Sequence, residues 1–338
     1  MNMFKYIARR LVLAVVVMFG ISIITFCISH LVPGDPLVAN LGQTAMSDPE
    51  IVAAYEAKWG LDQPLPVQYI NYMKNLFQGD LGTSIRTKQP VLSDLAQYIP
   101  ATFEMATFAT LISIILGLLF GLLSAARHNK LPDHVLRVIS LMGISIPAFW
   151  LSILCLYFFY LRLGIVPGSG RVSAEWLGAS FPTGFLIFDA ITYGEPDLLR
   201  DALSHLILPS FVLAASTMGI LTRTVRSSML EEMQQDYVRT ARAKGLSEGR
   251  VLRHHVLKNG LIPSVTMFGL SYGSLLGGTV LVETIFSYPG IGLYAYKAAS
   301  TLDFPAIMGT TLFIAAVNVL MNFFVDIIYA LIDPRIRY

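Results

Sequence analysis

Three carboxylates of this 338-residue chain fall inside otherwise apolar stretches: Glu104, Glu283 and Asp326. An ionisable side chain is costly in hydrocarbon, so it usually faces a partner charge or a wet cavity, where it can bind a substrate or an ion. Glu104 is predicted near the start of its helix, where the helix dipole favours a carboxylate, which makes capping preferable to a substrate contact. For Glu283 two interpretations stay open: contact with an amino group of a substrate, or a position among lipid headgroups.

Asp326 belongs to a polar stripe with Asn318 and Asn322, because residues four apart share one face of a helix. The stripe can line a pathway. It can equally form hydrogen bonds between helices, with Asp326 paired to a basic residue. Both interpretations stay open.

Gly273 has a glycine four residues before it and another four residues after it. Small residues at this spacing let helix backbones approach closely. We therefore expect a helix contact at Gly273, either within this chain or with another subunit.

The sequence contains no recognisable pattern of catalytic or metal-binding residues. It lacks the phosphate-binding pattern G-x-x-x-x-G-K-[S/T], the zinc pattern H-E-x-x-H and the nucleophile elbow G-x-S-x-G. His254 and His255 are adjacent, and adjacent helical residues point about 100° apart, so they cannot hold one metal as a pair four residues apart would. We expect no catalysis, no metal and no cofactor on this chain.

The elements that position these residues are predicted to be transmembrane helices. Hydrophobic residues make up 54% of the chain and charged residues 14%, against about 25% charged residues in a soluble domain. Six stretches approach the roughly 20 mostly apolar residues that a bilayer crossing needs: Leu11–Leu31, Thr102–Ala126, Val135–Leu163, Leu206–Val225, Leu261–Phe286 and Ala306–Ile332. The predicted fold is an all-α integral membrane protein with about six transmembrane helices, the third kinked at Pro147.

The distribution of Lys and Arg predicts the side of the membrane that each connection occupies, because positive residues are retained in the cytoplasm. They are denser in four segments: residues 1–10, 127–137, 223–260 and 333–338. Both termini are therefore expected inside. The long connection 32–101 after the first helix and the connection 164–204 are expected outside.

The connection that spans residues 228–263 is predicted to contain two helices. Apolar residues recur every four positions from Met229 to Ala241, with Tyr237 among them, which indicates an amphipathic helix. Gly245 ends this helix at a position that favours left-handed backbone, and a second, basic helix follows. The pair can dock on a partner protein or lie flat on anionic lipid, and periodicity alone does not choose between them.

The run from Asp236 to Ser247, with the sequence DYVRTARAKGLS, resembles the coupling loop of binding-protein-dependent ABC importer permeases of the peptide/nickel branch. The general loop has the pattern E-A-A-x-x-x-G. Ala241 and Gly245 match it, whereas the two residues before Ala241 replace its first two letters, a departure typical of the peptide branch. Further matches follow in order along the chain: Pro33–Pro36, Gly79–Ser84, Thr284–Gly290 and Asp333–Arg337. The resemblance covers essentially the whole chain and is strongest with the B-type permease subunit of dipeptide importers.

The resemblance implies a type I importer fold and a machine of several subunits in the cytoplasmic membrane of a bacterium or archaeon. Two permease subunits would form the path, two cytoplasmic ATPases would hold ATP and Mg²⁺, and an external binding protein would deliver the substrate. The ATPase contact is implied at five residues: Tyr237, Ala241, Arg242, Lys244 and Gly245. Residues 1–101 would form the N-terminal helix with its external segment, and residues 102–338 the core permease domain.

The implied cargo is a dipeptide or oligopeptide, although the same branch also carries nickel chelates, glutathione, opines and some sugars. A self-sufficient secondary transporter is the alternative from a different class. Such a transporter does not need the cytoplasmic helix pair and is often built from two related halves, and we find no internal repeat. The net charge of +2 gives no reason to expect a nucleic-acid partner.

Overall fold

The computed structural model describes residues 3–31, 48–50, 52–53, 63–179, 181–277 and 279–332. Within these residues the regular structure is helical, apart from a single bridge between Thr83 and Pro90. In chain order the helices are α1 (Met3–Leu31), α2 (Leu65–Phe77), α3 (Val91–Ala126), α4 (Leu131–Ser145), α5 (Ala148–Cys155), α6 (Leu186–Tyr193), α7 (Pro196–Glu232), α8 (Asp236–Ala243), α9 (Glu248–Val251), α10 (Leu257–Gly260), α11 (Ile262–Gly277), α12 (Val280–Ile285), α13 (Ile291–Ser300) and α14 (Phe304–Ile332). The π-helical stretch Leu156–Arg162 continues α5, and a second one, Leu252–Val256, joins α9 to α10.

The centre of the bundle is the contact between α3 and α7, which run parallel. Gly117 of α3 lies against Leu221 of α7, and Gly121 lies one turn further along against Val225. A Cβ at these glycines would lie only 2.7 Å and 2.6 Å from the Cβ atoms of those neighbours. The two backbones can approach this closely because both positions on α3 lack a side chain.

Helix α4 crosses α7 in the antiparallel sense at a second pair of glycines. A Cβ at Gly143 would overlap the backbone carbonyl of Ala215, and a Cβ at Gly219 would overlap that of Ser140. The helices therefore touch backbone to backbone at this crossing, with no room for a methyl group.

Among the described residues, four helices are long and apolar enough to cross a membrane: α1, α3, α7 and α14. Helices α4 and α5 together form a fifth candidate, but they meet at an angle of 108°. The bend lies at Ile146 and Pro147, because proline lacks a backbone N–H and disfavours helical geometry in the residue before it. The predicted kink at Pro147 is confirmed, and it is sharp enough to divide the predicted span Val135–Leu163 into two helices.

The fifth predicted span, Leu261–Phe286, is also divided. Helix α11 ends at Gly277 and α12 begins at Val280, so α11 has 16 residues, short of the roughly 20 that a straight crossing needs. The sequence has two consecutive glycines at this point, which weaken a helix because glycine loses the most conformational freedom on folding. The all-α membrane fold is confirmed, but two of the six predicted spans are interrupted rather than continuous.

Two helices begin before the apolar stretches that predicted them. Helix α3 starts at Val91 rather than Thr102, directly after a proline, and α7 starts at Pro196 rather than Leu206. Proline fits the first turn of a helix, where its missing N–H has no partner to lose. As a result, the expected boundary between residues 1–101 and 102–338 falls inside α3.

The two ends of the bundle differ in the elements that lie against them. Residues 236–260, which we call the helical loop, lie against the last turns of α3 and α7, and we call this end the loop end. Helix α13 lies against the first turns of α3, and we call that end the opposite end.

Candidate functional site

The helical loop is anchored to the bundle by an apolar inner face. Four of its residues are buried in one cluster: Val238, Ala241, Val251 and Val256. Their buried partners come from the ends of α3 and α7: Ala125, Val225 and Met229. Burying such side chains stabilises a contact by roughly 25 cal/mol per Å² of apolar surface, so this cluster holds the loop in one position on the bundle.

The outward face of the helical loop is polar and exposed. It is lined by charged and hydroxyl side chains: Asp236, Arg239, Thr240, Arg242, Lys244, Ser247 and Arg250. The ion pair between Arg239 and Asp236 is solvent-exposed and 3.5 Å long, and pairs of this kind contribute about 0–1 kcal/mol. This face is therefore a hydrated, charged surface on a rigid base.

The turn of the helical loop depends on Gly245. Its φ is +79°, which confirms the predicted left-handed conformation. A Cβ there would meet nothing within 4 Å, so glycine is required by the backbone conformation rather than by space. Beside the turn, Arg242 Nε donates a 2.7 Å hydrogen bond to Glu248 and so ties α8 to α9.

Tyr237 joins three helices through its hydroxyl group. The hydroxyl donates to the Glu232 carboxylate at the end of α7 and accepts a 3.0 Å hydrogen bond from Nδ2 of Asn259 on α10. Partial burial and the Glu232 carboxylate both raise the pKa of Tyr237, so the phenol stays protonated and keeps donating. Tyr237 is 39% exposed, which leaves part of its ring on the outward face.

Ala241 does not share that outward face. Helix α7 ends at Glu232 and α8 begins at Asp236, so the four-residue spacing from Met229 to Ala241 does not belong to one continuous helix. Ala241 is 5% exposed and lies in the inner cluster. This corrects the expectation that its side chain meets an ATPase, because the chain's own bundle already covers it.

Glu104 lies well inside α3 and does not cap that helix, since α3 begins at Val91. Its carboxylate accepts a 2.6 Å hydrogen bond from Arg171 and a 2.8 Å bond from the backbone N–H of Ile187, in the first turn of α6. The predicted capping of its own helix is therefore wrong. Glu104 instead accepts a hydrogen bond from a backbone N–H at the start of α6, where the N–H groups lack helical partners. Its ion pair with Arg171 fixes the connection that contains Arg171 to α3.

Glu283 is fully buried at the opposite end. It accepts hydrogen bonds from the Thr102 hydroxyl (2.8 Å) and from the backbone N–H of Leu293 (2.9 Å). Gly290 and Gly292 leave the space that the carboxylate occupies, since a Cβ at either position would crowd it. Both interpretations of Glu283 from the sequence need correction, because a group enclosed in this way touches neither a substrate nor lipid headgroups and instead joins α3, α12 and α13.

Gly273 and Gly277 of α11 lie against α14. A Cβ at Gly273 would lie 3.5 Å from the Met321 Cβ, and a Cβ at Gly277 would lie 3.3 Å from Asn318 Nδ2. Asn318 also donates a 3.0 Å hydrogen bond to the Ile314 carbonyl of its own helix. Asn322 is exposed, and the side chain of Asp326 lies outside the described part of the structure.

One buried ion pair was not predicted at all. Asp133, in the first turn of α4, is fully buried and accepts two hydrogen bonds from Arg226 of α7, from Nε at 2.7 Å and from Nη2 at 2.9 Å. The residues are 93 positions apart, and no local pattern links them. A proline just before Asp133 indicates a helix start, but nothing in the sequence signals the partner.

The described acidic residues, histidines and cysteines are the candidate metal ligands of this chain. In the described part of the chain, no group of three or more His, Cys, Asp or Glu residues could hold a metal ion. The buried carboxylates Glu104, Asp133 and Glu283 fasten helices and connections together, and exposed charged residues form the outward face of the helical loop.

Two family descriptions match the sequence. The family "Binding-protein-dependent transport system inner membrane component" matches residues 117–338. The corresponding N-terminal family of transport system membrane components matches residues 3–106.

Similar proteins cover nearly the whole chain. The probable D,D-dipeptide transport system permease protein of Escherichia coli (strain K12) is 46% identical over 323 residues, which is 95% of this chain and 94% of the relative. The dipeptide transport system permease protein of Alkalihalophilus pseudofirmus is 44% identical over 336 residues, 99% of this chain and 100% of the relative. The di/tripeptide transport system permease protein of Pseudomonas aeruginosa is 42% identical over 336 residues, 99% of each chain.

A solved structure shares the fold. The inward-facing MetNI methionine ABC transporter matches with a TM-score of 0.51 at 17% sequence identity, covering 72% of this chain and 97% of that chain. At this identity the match concerns the fold alone, and it agrees with the expected importer permease architecture.

Proposed function

This chain belongs to the family of binding-protein-dependent transport system inner membrane components, the permeases of ABC importers, and we propose that it forms half of the path through which such an importer carries peptides into the cell. Relatives of nearly the same length are named for dipeptide, D,D-dipeptide and di/tripeptide transport. These names favour peptides over nickel chelates, glutathione, opines or sugars. The family match likewise favours an importer subunit over a self-sufficient secondary transporter.

In this proposal the chain performs no catalysis, and its partners supply the energy. The sequence has no phosphate-binding loop, so ATP and Mg²⁺ are held by two ATPase subunits and this chain carries no cofactor. A second permease subunit completes the path, and a binding protein delivers the substrate from outside.

The observation that carries the proposal is the two-sided construction of the helical loop. A helix that lies on lipid must turn its apolar face toward the hydrocarbon. Here the apolar face, with Val238 and Ala241, is already covered by the bundle, and a charged face points away from it. This supports docking on a hydrophilic partner, at the surface around Tyr237, Arg242, Lys244 and Gly245.

The loop end is assigned to the cytoplasm. Lys and Arg are dense in residues 223–260, and positive residues stay on the cytoplasmic side. Helices α3 and α7 run parallel, both from the opposite end toward the loop end, as expected for two spans that each enter the membrane from outside. Both termini are then cytoplasmic, in the inner membrane.

Labelling of single cysteines tests this orientation. In a background with Cys27→Ser and Cys155→Ala, we expect a membrane-impermeant thiol reagent to label Gln89→Cys from outside and to label Glu231→Cys only after the membrane is opened. Both positions are exposed in the structure. The reverse pattern would contradict the orientation.

Reconstituted transport tests the function itself. We expect proteoliposomes that contain the chain, its partner permease and the ATPases to take up a labelled dipeptide only with internal ATP and external binding protein. The purified chain alone should hydrolyse no ATP. Uptake at full rate without any ATPase would favour the secondary transporter instead.

A further inference from the structure

The ion pair between Asp133 and Arg226, which we call the clasp, joins the start of α4 to the end of α7. Asp133 is fully buried, and the Arg226 side chain is 18% exposed. The guanidinium contacts both carboxylate oxygens, and a bidentate pair of this kind fixes direction as well as distance. The clasp therefore sets how α4 is oriented relative to α7.

The clasp also includes the turn between α3 and α4. Asp133 accepts further hydrogen bonds from the Ser124 hydroxyl, near the end of α3, and from the backbone N–H of Asn129 at 2.9 Å. Asn129 has a φ of +58°, in the left-handed region that residues other than glycine adopt rarely. This backbone conformation forms the tight turn between α3 and α4. The carboxylate of Asp133, at the start of α4, thus contacts the end of α3, the turn after it and the end of α7.

The position of Arg226 places the clasp directly beneath the helical loop. On α7 it lies between Val225 and Met229, and both of these residues belong to the buried cluster that anchors the loop. A displacement of the loop must therefore move the stretch of α7 that carries Arg226. Because the clasp is bidentate and buried, the start of α4 must move with that stretch.

Beyond the clasp, α4 also contacts α7 at the glycine crossing of Gly143 and Gly219. That crossing lies further along α4 and holds the backbones close without any directional bond. Without the clasp, the first turn of α4 could pivot about the crossing while α7 moves. Helix α4 continues through the 108° bend into α5, so the orientation of α4 also sets that of α5.

We propose that the clasp is a second mechanical link of the importer, through which a movement of the helical loop is passed to α3, α4 and α5. This inference rests on the proposed function, since it assumes that an ATPase moves the loop. Asp133 and Arg226 are then positioning residues, which act through the helices that they join and do not touch the substrate.

Arg137 supplies a matched control for the test. It is also next to Asp133, with its Nε 3.7 Å from the carboxylate, but it lies on α4 itself and does not bridge to α7. Arg137→Gln removes the same charge beside the same carboxylate as Arg226→Gln does, yet it leaves the clasp intact.

The experiment compares the wild type with Arg226→Gln, Arg226→Lys and Arg137→Gln in the complete importer, reconstituted with ATPases and binding protein. For each we measure the dipeptides taken up per ATP hydrolysed in assembled complexes only, so that a loss of yield does not enter the ratio. We expect Arg226→Gln to lower this ratio at least about fivefold, the low end of usual coupling between sites. The ratio for Arg226→Lys should lie between those of the wild type and Arg226→Gln, because lysine keeps the charge but not the bidentate geometry. The ratio for Arg137→Gln should match that of the wild type.

An unchanged ratio for Arg226→Gln would overturn the inference and leave the clasp with a role in stability alone. An equal fall for Arg137→Gln would overturn it as well, since charge rather than the link would then be responsible. If the wild type itself shows no ATP-driven uptake, the proposed function has failed instead, and the two failures are thus distinguishable.

A distance measurement keeps the inference testable if Arg226→Gln assembles poorly. Spin labels at Lys130→Cys and Lys258→Cys, two exposed positions outside the clasp and the outward face, in the cysteine-free background, report the separation of the α3–α4 turn from the helical loop. With the clasp intact, we expect the same separation with and without ATP. With Arg226→Lys, we expect the separation to change between these states. A separation that changes already in the wild type would contradict the inference.

Discussion

The two ends of the bundle use buried charge for different purposes. At the loop end, Asp133 binds a guanidinium and joins helix to helix. At the opposite end, three carboxylates each accept a backbone N–H of a connection or short helix: Glu104 from Ile187, Glu283 from Leu293, and Asp303 from Arg86. The one guanidinium among their partners in the described part of the chain, that of Arg171 on Glu104, belongs to a connection rather than to a bundle helix. The loop end is thereby built as one body with an unused charged face, while the opposite end is closed by connections that are each fastened separately.

A charge placed inside the loop end should have a larger effect than any single substitution at the opposite end. Ala241→Asp puts a carboxylate into the buried cluster without a partner, and an uncompensated buried charge costs about 3–5 kcal/mol. We expect a marked loss of thermal stability and of bound ATPases in the purified complex. Thr240→Asp is the control, since Thr240 is the exposed neighbour on the same helix. If the two variants were equally stable, the loop end would not be a dry, single body.

At the opposite end, Glu283→Gln should destabilise the protein without loosening the ATPases. Both oxygens of Glu283 accept hydrogen bonds, whereas the amide of glutamine would turn its NH₂ toward one of the two donors. A buried donor left without its acceptor costs about 1–3 kcal/mol, and we expect a loss of that size in unfolding measurements. Glu175→Gln, on an exposed residue, should change nothing. Loss of the ATPases from Glu283→Gln would show that the two ends are not independent.

The glycine contacts separate tight from loose helix packing. Gly219→Ala would overlap the Ser140 carbonyl at the crossing of α4 and α7, whereas Gly273→Ala would find the Met321 Cβ at 3.5 Å, an ordinary contact. Overpacking costs about 1–3 kcal/mol, so we expect a loss of that size for Gly219→Ala and almost none for Gly273→Ala. Thermal unfolding of Gly219→Ala, Gly273→Ala and the wild type in the same detergent measures both losses of stability. A larger loss for Gly273→Ala would reverse the assigned packing.

Gly245→Val should lower stability less than Ala241→Asp, Glu283→Gln or Gly219→Ala, although its effect on transport should be clear. A left-handed conformation costs a residue with a side chain roughly 1–2 kcal/mol, and the strain falls on the turn that orients Arg242 and Lys244. We expect normal assembly and reduced dipeptide uptake. Gly249→Val is matched to it, because a side chain at Gly249 also has open space but no positive φ. Equal dipeptide uptake by both variants would show that transport does not depend on the left-handed turn at Gly245.

Residues with a local pattern were predictable from the sequence. Apolar runs located α1, α3, α7 and α14, and the glycine at position 245 located the left-handed turn. Predictions for side chains failed where the partner is distant in sequence. Glu104 pairs with Arg171 67 residues away, and Glu283 with Thr102 181 residues away. The spacing of residues along the sequence does not identify such partners, because the packing of the helices determines which side chains meet.

Ala241 shows a second reason for failure. A four-residue spacing identifies the apolar face of a helix, but it does not say what covers that face. Ala241 lies in the buried cluster between α8 and the ends of α3 and α7, whereas its exposed neighbours, Thr240 among them, form the outward face.

Site-specific photocrosslinking tests most directly whether the outward face of the helical loop contacts an ATPase. A photoreactive residue is placed at Lys244, on that face, and in a second variant at Lys297, an exposed residue of α13 at the opposite end. In intact membranes that contain the complete importer, we expect Lys244 to crosslink to an ATPase subunit and Lys297 not to do so. Crosslinking of Lys244 to lipid alone, or of Lys297 to the ATPase, would contradict this contact.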